Sequence, residues 1–286
     1  MNVTQETRGN RSGAIGLSLL TILVLLSGCR TTVPSESSTA VLSLGHAHND
    51  YENEHPLNDA LNYGFASIEA DVHLVNGRLL VAHDAHEVNP ANTLEALYLD
   101  PLKERFIANR GAIRDDGAPL ILLIDFKTES EATYRALDAV LQNYRSMLTR
   151  FVGGNTLEGS VSVIISGNRP TRTLAGQKDR LAAIDGRLPD LKHKTYPASL
   201  VPLISDDWKK HFSWNGIGDC PISEQSKLAS LVTQAHLQGQ LIRFWGNPDL
   251  PSYWKLARDN DVDLINTDNL AGLSEFLKSK PAPTSE

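Results

Sequence analysis

"ASIEADVHLVNGRLLVAHD", Ala66 to Asp84, decides how this chain reads. Its centre is Asn76–Gly77, a dipeptide that closes tight hairpins because both turn positions take positive φ readily. Two strands are therefore expected, Ala66–Val75 and Arg78–Asp84. Along a strand, residues two apart share a face. Glu69 and Asp71 then point one way together, and Ile68, Ala70 and Val72 point the other. Two adjacent carboxylates repel, and they stay ionised when a cation is shared between them.

The surroundings of this hairpin are rich in imidazole. His46, His48, His55, His73 and His83 fall between Gly45 and Asp84, and His86 follows, out of nine histidines in the chain. A third acid stands further on. "PLILLIDFK", Pro119–Lys127, is a near-continuous apolar run, as expected of a strand covered on both faces, and Asp125 sits near its end.

Short β-rich runs alternate with amphipathic stretches along the rest of the chain. Strands are expected at Ala40–Gly45, Val161–Ser166, "RLAAID", "LVPLIS", Leu241–Trp245 and Asp261–Asp268. Helices are expected at Pro56–Gly64, at "LEALYLDPLKERFIANRG" with a break at Pro101, and at Ser130–Leu148. Ser223–Gly239 reads as a helix with a Ser cap and a Gly stop, followed by helices at "LPSYWKLARDN" and "LAGLSEFLKS". About eight β/α alternations in about 245 residues favour a (β/α)8 TIM-type barrel over an open doubly wound sheet.

The N-terminus reads differently. Arg8 and Arg11 precede an apolar run, Ala14–Leu26, too short to span a bilayer comfortably. It ends in "LSGC", which resembles a bacterial lipoprotein processing box. The expected organisation is a signal over residues 1–28, a lipidated tether over 29–39 beginning at Cys29, one barrel domain over 40–280, and a tail over 281–286. Arg30 follows the lipidated position where an inner-membrane retention signal would carry Asp, so the expected place is the outer-membrane face of the cell envelope. The other cysteine, Cys220, has no dedicated base beside it and reads as a structural thiol. With Cys29 lipidated, no intramolecular disulfide is available. The formal charge of −7, one unit more negative once Glu6, Arg8 and Arg11 leave, argues against nucleic acid as a general partner.

A strand acid taken alone is usually a solvated edge residue, and a lone histidine is usually a surface or satisfied core group. Five such residues at strand ends are harder to dismiss. Glu69, Asp71 and Asp125 offer oxygen ligands suited to one hard divalent ion, Mg²⁺ or less selectively Ca²⁺ or Mn²⁺, and the absence of thiolates disfavours zinc. His46 follows the first strand and His83 the hairpin, and two imidazoles at the same mouth suit proton transfer near neutral pH. His48 competes with His46 for the first role. Lys127 shares the face of Asp125 and is placed to hold a phosphate oxygen. Arg243 and Trp245 share a face of one strand, as a phosphate contact and substrate wall or as an ion pair and core packing. Asn49 and Arg169 are weaker phosphate contacts. Asn266 and Asp268 read as rim structure, and His55, His73 and His86 as ordinary polar residues.

These residues lie in motifs that resemble the phospholipase C-like phosphodiesterase superfamily, which holds the glycerophosphodiester phosphodiesterases and the sphingomyelinase D enzymes. The matching segments are "GHAHND", "IEAD", "VAHD", "LIDFKT" and "FWGNPD…DLINTD". The resemblance implies a TIM-type barrel, one Mg²⁺-like ion on Glu69, Asp71 and Asp125, and His46 and His83 as the acid–base pair. It also implies attack on phosphorus by a substrate hydroxyl, with a cyclic phosphate as one product. The chain departs from the glycerophosphodiesterases in reading "HAHNDYENEH" where they open with His-Arg-Gly. Asp125 in "DFKT" is closer to sphingomyelinase D, but the disulfide-bearing loop of the toxin-type enzymes is missing. The expected function is a metal-dependent phosphodiesterase acting on a glycerophosphodiester or phospholipid head group. The alternatives are a non-catalytic phospholipid- or phosphodiester-binding envelope lipoprotein and a metal-dependent hydrolase of other esters or amides.

Overall fold

A computed structural model describes residues 45–279. The expected signal, Cys29, the tether and the C-terminal tail lie outside the described residues, as does the expected strand Ala40–Gly45 apart from its last residue. The strands are β1 (Gly45–Ala47), β2 (Ser67–Val75), β3 (Arg78–Val81), β4 (Leu120–Phe126), β5 (Arg150–Val152) and β6 (Asn155–Leu157). They continue with β7 (Val161–Gly167), β8 (Asp179–Arg180), β9 (Ala182–Gly186), β10 (Leu203–Asp207), β11 (Leu241–Trp245) and β12 (Leu264–Thr267). Taken in the order β1, β2, β4, β7, β9, β10, β11, β12, eight strands pair in parallel, and β1 closes the ring by pairing both β12 and β2. This is the TIM-type barrel expected from the β/α alternation. β3 is the antiparallel hairpin partner of β2, and β5, β6 and β8 form a separate small sheet.

Alternation along the strands creates two cores. Ile68, Ala70, Val72, Leu122, Ile124, Phe126, Val163, Ile165, Ile242 and Phe244 belong to the large apolar cluster shared with the helices. Leu123, Ile164, Leu203 and Leu264 form a second, small cluster, with Ile121 and Leu241 packed against it. These are the inward residues, and they plug the barrel as a layer of branched side chains. Two residues further along the same faces the chain turns polar, at Asp125, Ser166, Ser205, Arg243 and Asn266. A polar layer therefore lies directly above an apolar floor at the C-terminal end of the strands.

The outward residues hold that layer in place. Phe244, between Arg243 and Trp245, is fully buried and packs edge-on against Trp208 and Phe212, with ring centroids 5.7 and 5.6 Å away. Trp208 also stacks on Phe212 and meets Tyr253 edge-on. Burying a Phe side chain contributes about 1.5–3 kcal/mol. The same contacts fix which face of β11 looks inward.

Several local expectations change. Pro101 does not break its helix, because a π-helical turn, Glu95–Leu99, runs straight into the helix Asp100–Ala108, and Pro101 occupies its first turn, where no N–H is needed. The helix expected over Ser130–Leu148 ends at Leu141 and continues as a 3₁₀ turn, Gln142–Tyr144. The helix expected from Ser223 begins at Ile222 after Pro221, without a side-chain cap.

Candidate active site

β1 places His46 within the strand rather than after it, in register with Ser67 of β2 and Asn266 of β12. Gly45 before it is obligatory for packing, since a Cβ there would stand 2.7 Å from the Phe65 ring. The buried His46 imidazole is hydrogen-bonded through Nδ1 to Ser67 Oγ at 2.7 Å. Its Nε2 lies 2.9 Å from Glu69 Oε2 and 2.5 Å from Arg243 Nη1. Nε2 donates to Glu69 or accepts from Arg243, and one tautomer cannot do both. Burial first, then the Arg243 charge, push His46 down to about 3, so the ring is neutral near pH 7.

Glu69 is buried, which alone would raise its pKa, but Arg243 Nη1 at 3.0 Å and the His46 hydrogen bond hold it well below the usual carboxylate range. Asp71 is fully buried and crowded on one oxygen. Its Oδ2 accepts from Tyr51 Oη at 2.8 Å, Lys127 Nζ at 2.9 Å and His83 Nδ1 at 3.0 Å. Its Oδ1 is buried without a hydrogen-bond partner among the described residues. Asp125 lies opposite Asp71 in the β2–β4 register, and Lys127 Nζ stands 3.2 Å from its Oδ1. Burial, only partly offset by Lys127, raises the Asp125 carboxyl; Lys127 is itself raised, the two carboxylates outweighing its own burial.

One oxygen each of Glu69, Asp71 and Asp125 lies within 4.8 Å of the others. An all-carboxylate donor set with an orphaned buried oxygen fits a hard divalent ion. Asp84, His86 and Glu87 form another compact group, but all three are exposed.

The mouth above this cluster is a cavity of about 250 Å³. Its walls include His48, Asn49, His83, Lys127, Arg243 and Trp245. His83 is half-exposed, with its ring oriented by Asp71. His48 is turned to the rim, 2.7 Å from Asp268 Oδ1; its own burial opposes protonation, but the Asp268 hydrogen bond raises it overall. The rim role expected for Asp268 therefore takes the form of a His48 partner. His73 lies below, 3.2 Å from the His83 carbonyl, and Asn266 is buried in register with His46. Arg243 is buried and tied to Glu69 and His46, so it reaches the site as an ion-pair partner as well as a wall. Arg169 donates to the Asp185 carbonyl and is not part of this cavity wall.

Four contributors escape a linear reading. Tyr51 and Ser67 steady Asp71 and His46, and Ser67 could have been found two residues before Glu69 on the same face. Ser166 and Arg187 line the cavity. Arg187 follows Asp185 as Lys127 follows Asp125, acid at a strand end and base two residues on.

Comparison with known proteins agrees with this architecture. A structure titled as a glycerophosphodiester phosphodiesterase from Parabacteroides distasonis has a similar fold, with a TM-score of 0.50, 16% identity, and 82% of this chain and 97% of that one covered. Altered inheritance of mitochondria protein 6 of Eremothecium gossypii is 28% identical over 320 residues, covering 95% of this chain and 81% of that protein. Its namesake in Saccharomyces cerevisiae is 29% identical over 279 residues, covering 81% and 70%. The AIM6-like phosphodiesterase domain model matches residues 37–184, a span that holds His46, Glu69, Asp71, His83, Asp125 and Lys127. The chain belongs to the AIM6-like phosphodiesterase domain family.

Proposed function

We propose that the chain is a divalent-metal-dependent phosphodiesterase acting on a glycerophosphodiester or on a phospholipid head group. The observation that carries this reading is the buried Asp71 Oδ1, without a hydrogen-bond partner among the described residues, beside Glu69 and Asp125 and under a cavity flanked by His83. Glu69, Asp71 and Asp125 would hold one ion, Mg²⁺ or a similar hard cation. Bound there, it supplies positive charge against the charge that develops on phosphoryl oxygens.

The remaining work falls to the chain's own side chains. His83 Nδ1–H donates to Asp71, which orients the ring and leaves Nε2 for proton transfer at the cavity. His46, the second imidazole expected from the resemblance, is buried off the cavity wall with Nδ1 on Ser67 and Nε2 between Glu69 and Arg243, and would serve only with Nε2 released from those partners. One ring takes the proton of the attacking oxygen as a P–O bond forms, and the other gives a proton to the alcohol as the ester P–O bond breaks. An attacking substrate hydroxyl yields a cyclic phosphate, and attacking water yields the open monoester. Lys127 neutralises a phosphate oxygen from the wall opposite Arg243.

The N-terminal segment supports a place for this activity. Lipidation at Cys29 would hold the barrel at the envelope, on its outer-membrane face. Replacement of Cys29 by Ser should release the protein from the membrane fraction, and retention there would remove that element of the reading.

The direct test is a panel of glycerophosphodiesters and lysophospholipids assayed with Mg²⁺ and with chelator. Turnover should require the ion, and His83→Ala should lower kcat by about 10²–10⁴. Wild-type turnover in His83→Ala overturns the role given to that imidazole, and no turnover on any phosphodiester overturns the reading in favour of a binding protein.

A further inference from the structure

The cavity has a second built wall, away from the carboxylates. Arg187, immediately after β9, lays its guanidinium 4.7 Å from the centre of the Trp245 ring. Its Nη1 donates to Asp185 Oδ2 at 2.8 Å and to the Gly186 carbonyl at 2.9 Å, and its Nη2 reaches Ser166 Oγ at 3.3 Å. Asp185 is fully buried, and Ser166 Oγ donates to the same carboxylate oxygen at 2.8 Å. The guanidinium is therefore fixed over the ring by an ion pair and hydrogen bonds. Both Arg187 and Trp245 lie beyond residues 37–184, the span of the family match.

A Trp face is the surface that best receives a quaternary ammonium. Here a cation of the chain itself occupies one face. The local charges point the same way. Lys127 pairs Asp71 and Asp125, Arg243 pairs Glu69, and Arg187 pairs Asp185. Four carboxylates face these three fixed cations, and the divalent ion that the phosphodiesterase reading would seat among them turns the balance positive, against a cationic head group. An uncharged hydroxylated group would instead meet the Asn49 amide, the Ser166 hydroxyl and the Arg187 fork, all on the cavity wall.

Resting on the phosphodiesterase reading, we propose that Arg187 seated on Trp245 selects the head group. Phosphodiesters of uncharged, hydroxylated alcohols are accepted, and those of quaternary ammonium alcohols are rejected.

The test compares kcat/KM of the full chain, with Mg²⁺, on glycerophosphoglycerol and glycerophosphocholine. The same two head groups on micellar lysophospholipids separate a soluble from a lipid source. The wild type should prefer the polyol about tenfold or more in whichever presentation it accepts. Arg187→Gln should shrink that ratio mainly through gain on the choline compound. Arg187→Lys retains a cation for Asp185 but not the planar cover, and should shift the ratio the same way should Arg187→Gln fail to fold. A wild type that takes the choline compounds as well as the polyol compounds, or variants that keep the wild-type ratio, overturns the selector while leaving the phosphodiesterase intact. A wild type inactive on all four compounds overturns both.

Discussion

Asp71 and Asp125 face each other across the β2–β4 register, and Lys127 Nζ spans them at 2.9 and 3.2 Å. One ammonium thus offsets two carboxylates, leaving a net negative site with Glu69 close by. That imbalance is what a divalent cation would correct. Binding to the folded state alone stabilises it by mass action. Added Mg²⁺ should raise the Tm of the wild type, by an amount equivalent to about 2.7 kcal/mol at a hundredfold excess over Kd. Thermal unfolding with and without the ion checks this, and an unchanged Tm at saturating Mg²⁺ would count against the site.

Gly167 makes room for Asp125, the third proposed ligand. It has φ +64°, and a Cβ there would stand 2.4 Å from Asp125 Oδ1. Gly167→Ala should weaken divalent-ion binding about tenfold or more and cost roughly 1–2 kcal/mol of stability from the backbone strain. Calorimetric ion titration and denaturant unfolding of the variant read the two effects separately.

Phe244 holds Arg243 and Trp245 to the inner face from behind. Phe244→Ala should cost about 3–5 kcal/mol, because the cavity opens inside a packed aromatic group. Phe244→Leu should cost less and keep activity. Urea unfolding compares the two, and equal stability of Phe244→Ala and wild type would show that the cluster does not anchor β11.

Asp50 gives the fold a pH dependence of its own. It is fully buried, accepting from the Leu57 N–H at 2.6 Å and from Tyr98 Oη at 3.0 Å. Burial outweighs both hydrogen bonds and pushes its carboxyl up to about 6. Below the ordinary value of 3.8 both folded and unfolded chains carry the proton, and its stabilising contribution is complete. Between 3.8 and about 6 the unfolded chain releases the proton first, so this contribution falls as pH rises, by on the order of 3 kcal/mol in all. Asp50→Asn should flatten this window in chemical denaturation at successive pH values. An identical pH profile in the variant would exclude Asp50 as its source.

Much of this molecule could be seen in its chain because barrel strands are simple objects. A strand covered on both faces reads as an apolar run, so an acid at its end, such as Asp125, stands out. The hairpin turn Asn76–Gly77 set the phase that put Glu69 and Asp71 on one face. Other features depend on distance in space. Tyr51 reaches Asp71 from the short 3₁₀ turn Asp50–Glu52, and Arg243 of β11 meets His46 of β1 past the intervening β12, with no local signature for either contact. The short sheet of β5, β6 and β8 escaped because strands of two or three residues carry too little periodicity. Pro101 misled because the preceding π-helical turn left its missing N–H without consequence. Arg187 was legible in principle, in the repeated spacing of acid and base at the ends of β4 and β9.

The most direct measurement is a Mn²⁺ titration of the full chain followed by electron paramagnetic resonance, in the wild type and in Asp71→Asn, with folding of each checked by circular dichroism. One tightly held ion per chain in the wild type, weakened about a hundredfold or more in the folded variant, is the result expected if Glu69, Asp71 and Asp125 grip a common cation. No bound ion in the wild type, or equal affinity in the two proteins, would contradict it.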